Sequence, residues 1–385
     1  MQERVGLVTI AREWGRIGVT GFGGPPAHIL LLRRLCVEQR RWLSAAEFED
    51  GIAATNLLPG PASTQLAIFT AWRLRGTAGA LVGGAAFIVP GLVLILLLSA
   101  LFLAGDPPRW VLGAAAGAGA AVPAVALQAA TALVPASRQR AGGGAARWRW
   151  YGYLAAGALA ALLTGPWLVL VLIATGITEI AVRRPGGGTP GRRPRGLLPL
   201  LAPAAGATGG IGALAWVALK VGALSYGGGF VIIPLMQQDA VHRYHWMTDG
   251  QFLNAVALGQ ITPGPVVQTV AVVGYAAAGV AGGLLAAGVA FAPSFLFVLF
   301  GAAHFDRLRA DRRVQDFLTG AGPAVIGAIA GSTVPLAFGL HAWWQAVVLA
   351  LALLWLLALR RSVVPCLLAA GALGTLAVTA GLPLP

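Results

Sequence analysis

The sequence predicts an all-α polytopic membrane protein that consists of two inverted-topology repeats with broken or re-entrant helices. Three observations predict this fold class: the composition is strongly apolar, the two halves of the chain share motifs, and equivalent loops of the halves differ in basic charge. Of the 385 residues, 57% are hydrophobic and 10% are charged. Because so few polar groups cannot cover a soluble protein of this length, the solvent of most of the chain is lipid.

Long apolar runs mark the candidate membrane spans. These runs cover residues 77–104, 111–134, 284–300 and 346–359, and a helix needs about 20 apolar residues to cross the hydrocarbon. The chain is therefore predicted to form roughly 10 to 13 membrane segments, depending on whether the broken helices span the bilayer or re-enter it.

An internal repeat organises the chain. A shift of 204 positions without gaps superimposes residues of the first half on identical or similar residues of the second. The pairs include Gly18 with Gly222, Gly23 with Gly227, Trp42 with Trp246, Phe48 with Phe252, Arg16 with Lys220, Asn56 with Gln260, and Pro59-Gly60-Pro61 with Pro263-Gly264-Pro265. Such self-similarity identifies a repeat. We divide the chain into a first repeat (1–182), a linker rich in Arg, Pro and Gly (183–196) and a second repeat (197–385).

The basic residues of equivalent loops predict opposite orientations for the two repeats. Arg73 and Arg75 follow the first ProGlyPro motif, whereas the matching stretch 276–279 is uncharged. After the next span the bias reverses, because 104–108 has no basic residue and its counterpart at 307–313 contains four arginines. Basic loops favour the cytoplasm, so equivalent loops lie on opposite faces, an arrangement typical of secondary transporters. The linker arginines at 183–195 are then cytoplasmic.

Two breaks interrupt the helical pattern of each half within apolar sequence. The first is GlyPheGlyGlyProPro at 21–26, with SerTyrGlyGlyGlyPhe at 225–230, and the second is the ProGlyPro motif. Irregular backbone at bilayer depth is tolerated only where protein or a water-filled cavity surrounds it. A helix that begins there directs its free N–H groups and the positive end of its dipole into that cavity. The pattern predicts an anion site near the midplane.

The candidate substrate-binding residues lie at these breaks or carry the cations near them. They are Arg16, Gly23, Gly24, Pro25, Asn56, Pro59, Gly60, Pro61, Thr64 and Gln65 in the first half, and Lys220, Gly227, Gly228, Gly229, Gln260, Pro263, Gly264, Pro265, Gln268 and Thr269 in the second. One isolated ProGlyPro would more simply be a kink in a spanning helix. Its recurrence beside matched amide side chains favours a role in substrate binding.

Arg16 and Lys220 are the cations of these apolar segments. Lys220 is the only charged residue between 197 and 236, and a charge at that depth costs several kcal/mol unless it is paired, hydrated or at an interface. The two cations on equivalent helices could balance a dianion. Alternatively, each cation reaches the interface or pairs with a carboxylate.

Other polar residues have simpler interpretations. Glu47 fits a capping box with Ser44. Alternatively, one of the carboxylates of Glu47, Glu49, Asp50 and Asp249 could carry a coupling proton. His242 and His245 are assigned to a surface loop, and His28 to a structural role. Cys36 and Cys366 are far apart and fit no metal or redox spacing, so no disulfide is expected.

Several function classes are excluded at this point. The net charge of +14, from 27 basic and 13 acidic residues, lies in short loops between apolar runs, which does not favour nucleic acid as a partner. The sequence contains no catalytic triad, metalloprotease motif, phosphate-binding loop or dinucleotide fingerprint. We therefore predict a protein that is not an enzyme and that has no cofactor and no metal site.

The motifs together resemble the chromate transporter family. The residues that carry the resemblance are GlyPheGlyGlyPro (21–25) with AlaHisIle (27–29), TyrGlyGlyGly (226–229) and the two ProGlyPro motifs with a following Gln or Thr. The match covers both halves and is similar to the fused two-domain form. It implies chromate export from the bacterial cytoplasm across the inner membrane, driven by the proton motive force, and hence chromate resistance. It also implies that Arg16, Lys220 and the glycine and ProGlyPro motifs serve transport.

Alternatives remain open at the level of the sequence. Sulfate is a tetrahedral dianion of similar size, so the chain could transport sulfate or another small anion, as a carrier or as a channel. A membrane scaffold without transport is a further alternative. The coupling proton and a homodimeric state are also left open.

Overall fold

The computed structural model describes residues 5–55, 58, 60–103, 107–163, 168–183, 210–225, 232–301 and 311–384. Within these ranges the chain forms fourteen α-helices and no strand, so the predicted all-α class is confirmed. Four helical segments are long and apolar enough to cross a membrane, as expected for a polytopic membrane protein. Asn56, Pro59, the glycines at 227–229 and nearly all of the linker lie outside the described residues.

The helices are named here in chain order. They are α1 (Leu7–Thr20), α2 (Pro25–Arg33), α3 (Ala45–Thr55), α4 (Ala62–Phe102), α5 (Arg109–Ala141), α6 (Ala145–Leu163), α7 (Leu168–Arg183), α8 (Ile211–Leu224), α9 (Ile232–Gln237), α10 (Asp249–Ile261), α11 (Thr269–Gly301), α12 (Arg312–Phe338), α13 (Trp343–Leu353) and α14 (Val363–Thr379). Short π-helical turns extend α2, α9 and α13, at Arg34–Gln39, Gln238–Arg243 and Leu354–Ala358.

Helices α4 and α11 each reverse direction. A straight α4 of 41 residues would be about 60 Å long, twice the thickness of the hydrocarbon. Helical geometry is lost at Arg75 and Gly76, where Gly76 has φ +59°. The chain then folds back, because a Cβ atom at Gly79 would touch the carbonyl oxygen of Ala71. We call the two arms α4a (62–74) and α4b (77–102).

Helix α11 repeats this reversal. Ala278 and Gly279 leave helical geometry, and Gly279 has φ +61°. Gly274 and Gly282 then meet at a distance that leaves no room for a Cβ atom on either. The arms are α11a (269–277) and α11b (280–301).

Helix α3 and arm α4a form a hairpin. Glu47, near the start of α3, forms an ion pair with Arg73, near the end of α4a, so the two ends of the hairpin lie at the same level. Between them, Gly51 packs against the ring of Phe69. An 11-residue helix is about 16 Å long, half the hydrocarbon thickness, so α3 is too short to span a bilayer.

The second ProGlyPro motif joins α10 to α11a in the same manner. Gly259 of α10 packs directly against the Thr269 side chain at the start of α11a, which places these two segments side by side around Gly264. We refer to the two ProGlyPro turns, with the first residues of the helix that follows each, as tip 1 (60–65) and tip 2 (262–269).

The two halves interlock through small residues. Helix α6 of the first half packs on α12 of the second half, where Gly157 meets the backbone of Ala324. Helix α14 of the second half packs on α5 of the first half, where Gly117 meets the carbonyl oxygen of Ala370. Each half thus packs its terminal helices against the long helix of the other half, as expected where small residues let membrane helices approach closely.

Equivalent glycines let α1 and α8 cross the long arms of their own halves. A Cβ atom at Gly18 would lie 2.6 Å from the carbonyl oxygen of Phe87, and one at Gly222 would overlap the carbonyl oxygen of Ala290. We expect Gly222→Ala to destabilise the protein by about 1–3 kcal/mol, because neither backbone can move away freely. Thermal unfolding in detergent measures this loss. Gly212→Ala, on the same helix with no atom within 4 Å of its Cβ position, should not lower the melting temperature, and equal losses in both variants would contradict the prediction.

Candidate functional site

The two tips meet the first glycine motif at the centre of the protein. The N–H of Gly264 in tip 2 donates to the carbonyl oxygen of Gly21, at 3.1 Å. A Cβ atom at Gly24 would lie 3.9 Å from Val266. The breaks that the sequence places in opposite halves are therefore neighbours in space.

Each tip also packs against the long arm of the other half. The side chain of Gln268 in tip 2 donates from Nε2 to the carbonyl oxygen of Ile88 on α4b, at 2.8 Å, and Gly91 of the same arm touches the carbonyl oxygen of Pro263. In tip 1, a Cβ atom at Gly60 would lie 3.4 Å from Oγ of Ser294 on α11b. The two tips make these contacts beside Pro90 and Pro293, where each long arm contains a proline.

Each tip requires a glycine for two reasons: its backbone has a positive φ, and a glutamine side chain occupies the space of a Cβ atom. Gly60 has φ +120° and Gly264 has φ +102°, a region that favours glycine. A Cβ atom would lie 2.5 Å from Nε2 of Gln65 at Gly60, and 3.1 Å from Nε2 of Gln268 at Gly264. Gln65 and Gln268 are thus equivalent in space, although the 204-residue shift pairs each of them with a threonine.

Five buried polar atoms, four of them in or beside a tip and one at the end of α8, have no hydrogen-bond partner among the described residues. They are Oγ1 of Thr64, Oγ of Ser225, Nε2 of Gln260, Oε1 of Gln268 and Oγ of Ser294. Buried polar groups almost always have a protein or water partner, and leaving one without a partner costs about 1–3 kcal/mol. Their concentration around the tips indicates a place where water or a polar ligand provides the missing hydrogen-bond partners.

Two cavities lie at opposite ends of α5. The smaller, of about 200 Å³, extends from Ser137 and Arg140 at the end of α5 to Gly60 of tip 1. The larger, of about 960 Å³, lies at the start of α5 and is lined by polar residues that include Asp249, Asn254 and Gln345. Only the smaller cavity touches a tip among the described residues.

The two predicted cations differ in their surroundings. The ammonium of Lys220 on α8 forms an ion pair with Oδ2 of Asp239, and this pair is largely buried. Arg16 is exposed on α1, and its guanidinium forms no ion pair with another described residue.

The profile of the chromate transporter family matches residues 8–179 and, a second time, residues 212–375. The chain belongs to the chromate transporter family. A chromate transport protein of Cupriavidus metallidurans is 32% identical over 332 residues, 84% of this chain and 80% of the relative. A chromate transport protein of Pseudomonas aeruginosa is 31% identical over 355 residues, 84% and 79% of the two chains. An uncharacterised transporter of Methanocaldococcus jannaschii is 26% identical over 321 residues, 76% and 75%. No solved structure matches the chain.

Most of the predicted substrate-binding residues that the structure describes lie at or beside the two tips. Gly60, Pro61, Thr64 and Gln65 belong to tip 1, Pro263, Gly264, Pro265, Gln268 and Thr269 belong to tip 2, and Gln260 precedes tip 2 at the end of α10. Gly23, Gly24 and Pro25 connect α1 to α2, where Gly24 is the N-cap of α2. Thr269 differs from Thr64 because its hydroxyl donates within the helix to the carbonyl oxygen of Val266, at 2.8 Å.

His28 has a structural role, as the sequence favours. Its Nε2 lies 2.8 Å from the carbonyl oxygen of Gly21, and its Nδ1 lies 3.3 Å from Oγ of Ser63. Because a carbonyl oxygen can only accept, Nε2 carries the proton and Nδ1 accepts from the serine hydroxyl. The imidazole thus ties the first glycine motif to the start of α4a.

Other polar residues have the following surroundings. The N–H of Ser44 donates to the Glu47 carboxylate at 3.0 Å and the N–H of Glu47 donates to Oγ of Ser44 at 3.2 Å, so the capping box is confirmed. Asp249 accepts from Nε2 of Gln237 at 2.9 Å. Both cysteines are buried and free, and the described residues contain no group of three side chains that could hold a metal ion.

Two polar residues, Asp239 and Ser294, were not identified from the sequence. Asp239 follows the apolar window around Lys220, and its repeat partner is Leu35. Ser294 pairs with Pro90 in the repeat. Because the repeat was the main signal for the site, a residue that is polar in only one half could not be identified as a candidate from the repeat.

Proposed function

We propose that this chain is a secondary transporter that exports chromate from the cytoplasm across the inner membrane of a bacterium and thereby confers chromate resistance. The single observation that carries the proposal is the group of unpartnered buried polar atoms around the two tips. An apolar protein that leaves several polar atoms without partners at its centre needs a polar ligand there. Membership of the chromate transporter family supports a tetrahedral oxyanion as that ligand.

The donors around the tips suit an anion. Arms α4a and α11a begin beside the site, so their first N–H groups and the positive ends of their dipoles favour negative charge there. The hydroxyls of Thr64 and Ser294 and the amide of Gln260 add neutral donors, and Lys220 adds a positive charge nearby. A site of this kind compensates a dianion with hydrogen bonds from several directions.

Export of a dianion needs no further source of energy than the membrane potential. Moving one charge across 100 mV yields about 2.3 kcal/mol, so two negative charges that leave a negative interior yield about 4.6 kcal/mol. The two cavities at opposite ends of α5 support alternating access, with the halves rocking around a fixed midplane site. The basic linker is assigned to the cytoplasm, and a coupling proton and a homodimer remain predictions.

Sulfate is the second candidate substrate. The N–H, hydroxyl and amide donors select charge and tetrahedral shape, and sulfate shares both with chromate. A channel for either anion would respond to the same membrane potential, but unlabelled anion preloaded into the vesicles would not accelerate uptake through it, as it would through a carrier with alternating access.

Chromate uptake into inside-out vesicles tests the proposal. Vesicles that contain this chain should accumulate chromate when the membrane is energised, and a protonophore should abolish the accumulation. Excess sulfate should slow it. We expect Lys220→Ala to lower the initial rate about tenfold, the factor produced by the loss of about 1.4 kcal/mol.

Arg361→Ala is the matched control for the loss of a basic side chain. Arg361 is exposed on the loop before α14, and its replacement should leave the rate unchanged. Wild-type vesicles that take up no more chromate than empty vesicles would refute the proposal. Uptake of labelled chromate that preloaded unlabelled anion does not accelerate would favour the channel.

A further inference from the structure

The Lys220–Asp239 pair has a geometry that suits a substrate site better than a structural ion pair. We propose that Asp239 shares the ammonium of Lys220 with the bound oxyanion and so keeps the affinity low enough for the anion to be released. This inference rests on the proposed function. It assigns to Asp239 the tuning of affinity and turnover at the same site.

Burial makes the pair energetically significant. The Lys220 side chain is 19% exposed and the Asp239 side chain 3% exposed. A buried charge is tolerated only with a partner, so the empty protein needs Asp239 to neutralise Lys220. The ammonium has three N–H donors, and one of them is used by Oδ2 of Asp239. The others remain for an anion.

Asp239 is held by fewer contacts than a structural carboxylate of this protein. Glu179, which is equally buried, accepts from Arg149, Arg183 and Tyr153, and both of its oxygens are used. Oδ1 of Asp239 has no partner among the described residues. A carboxylate that Lys220 alone holds can yield part of that contact to a stronger anion.

The pair is specific to the second half. The repeat partner of Asp239 is Leu35, and the partner of Lys220 is Arg16, which is exposed. Both Leu35 and Asp239 lie in the π-helical turns that follow α2 and α9, and π-helical turns are frequent at functional sites. Packing of the turn therefore does not require a carboxylate, since the first half builds the same turn around leucine.

Lys220 lies near the end of α8, on the helix that packs against α11b. Gly222, two residues later, touches the backbone of α11b at Ala290, four residues before Ser294. Ser225, five residues later, has a buried hydroxyl without a partner among the described residues, and a lysine side chain is a flexible four-carbon stem. A transporter must bind its ion well enough to admit it and weakly enough to release it, and Asp239 provides the weakening.

The test compares equilibrium binding with turnover. The purified full-length chain in detergent is titrated with chromate, and the same variants are assayed for uptake in inside-out vesicles. We expect Asp239→Asn to bind chromate about tenfold more tightly, because no carboxylate then competes with the anion for the Lys220 ammonium. We also expect this variant to have a lower maximal uptake rate. Asp239→Glu keeps the competing charge and should bind like the wild type. The variant Lys220→Met/Asp239→Leu has no buried charge and should fold but bind about tenfold more weakly.

The outcomes separate this inference from the proposed function. A wild type that binds no chromate would refute both. Wild-type binding that Asp239→Asn leaves unchanged or weakens overturns only the role of Asp239. If Asp239→Asn is not recovered folded, infrared difference spectra of the wild type with and without chromate take its place. The carboxylate band of one aspartate should shift on binding, and the shift should be absent in the double variant. The absence of any aspartate shift in the wild type would overturn the inference.

Discussion

Replacing Glu179 with alanine is expected to leave little folded protein. The carboxylate of Glu179 accepts from Nε and Nη2 of Arg149, at 2.9 and 3.1 Å, and from Nε of Arg183, at 2.5 Å. Tyr153 adds a fourth hydrogen bond from its hydroxyl, at 3.1 Å. Removing one partner of a buried ion pair costs about 3–5 kcal/mol, a large share of the about 5–15 kcal/mol that stabilises a typical protein.

The position of this network explains why the loss should spread. Arg183 also donates to the carbonyl oxygen of Ala141, at the end of α5, and lies 3.7 Å from Asp316 on α12. The network therefore joins α5, α6, α7 and α12 at one end of the protein, where the first half packs on the second. Without Glu179, two guanidinium groups would repel each other at this junction.

Glu38→Ala provides the matched control. Glu38 is exposed and lies 3.8 Å from Arg33, and an exposed ion pair of this kind contributes about 0–1 kcal/mol. Thermal unfolding in detergent, with the folded fraction measured by size exclusion, distinguishes the two variants. A melting temperature for Glu179→Ala as high as that of Glu38→Ala would show that Arg149 and Arg183 do not depend on this carboxylate.

The sequence was most informative where both halves carry the same signal. The paired ProGlyPro motifs identified the two tips, because two apolar helices broken at equivalent positions are rarely accidental. The depth of those breaks could not be obtained in the same way. The ion pair between Glu47 and Arg73, 26 residues apart in the chain, shows that α3 and α4a form a hairpin, and the 11 residues of α3 are too few to span the hydrocarbon.

Signals confined to one half were missed for the same reason. The repeat aligns Asp239 with Leu35 and Ser294 with Pro90, so neither residue had a counterpart to draw attention to it. The repeat also aligned Gln65 with Thr269, whereas in space Gln65 and Gln268 occupy equivalent positions over Gly60 and Gly264. The spatial equivalence therefore differs by one residue from the alignment of the repeat. The cause is the turn after each motif, since tip 2 contains a 3-10 turn at Val266–Gln268 that tip 1 lacks.

Replacing Ser294 with alanine should separate transport from stability. The hydroxyl of Ser294 is fully buried beside Gly60, and it has no partner among the described residues. Deleting a buried hydroxyl that lacks a partner removes a desolvation penalty, so the melting temperature should stay the same or rise. A hydrogen bond to a charged ligand contributes about 1.5–3 kcal/mol, so chromate uptake should fall about 10- to 100-fold.

Ser99→Ala is the control with the same chemistry. Ser99 is equally buried on α4b, but its hydroxyl donates within the helix to the carbonyl oxygen of Ile95, at 2.7 Å, away from both tips. Its loss should leave the uptake rate unchanged and lower stability by about 1 kcal/mol. Ser294→Ala is thus expected to lower uptake without lowering stability, and Ser99→Ala to lower stability without lowering uptake. If Ser294→Ala transported chromate as fast as Ser99→Ala, the hydroxyl beside tip 1 would not contact the anion, and the site would have to lie away from Gly60.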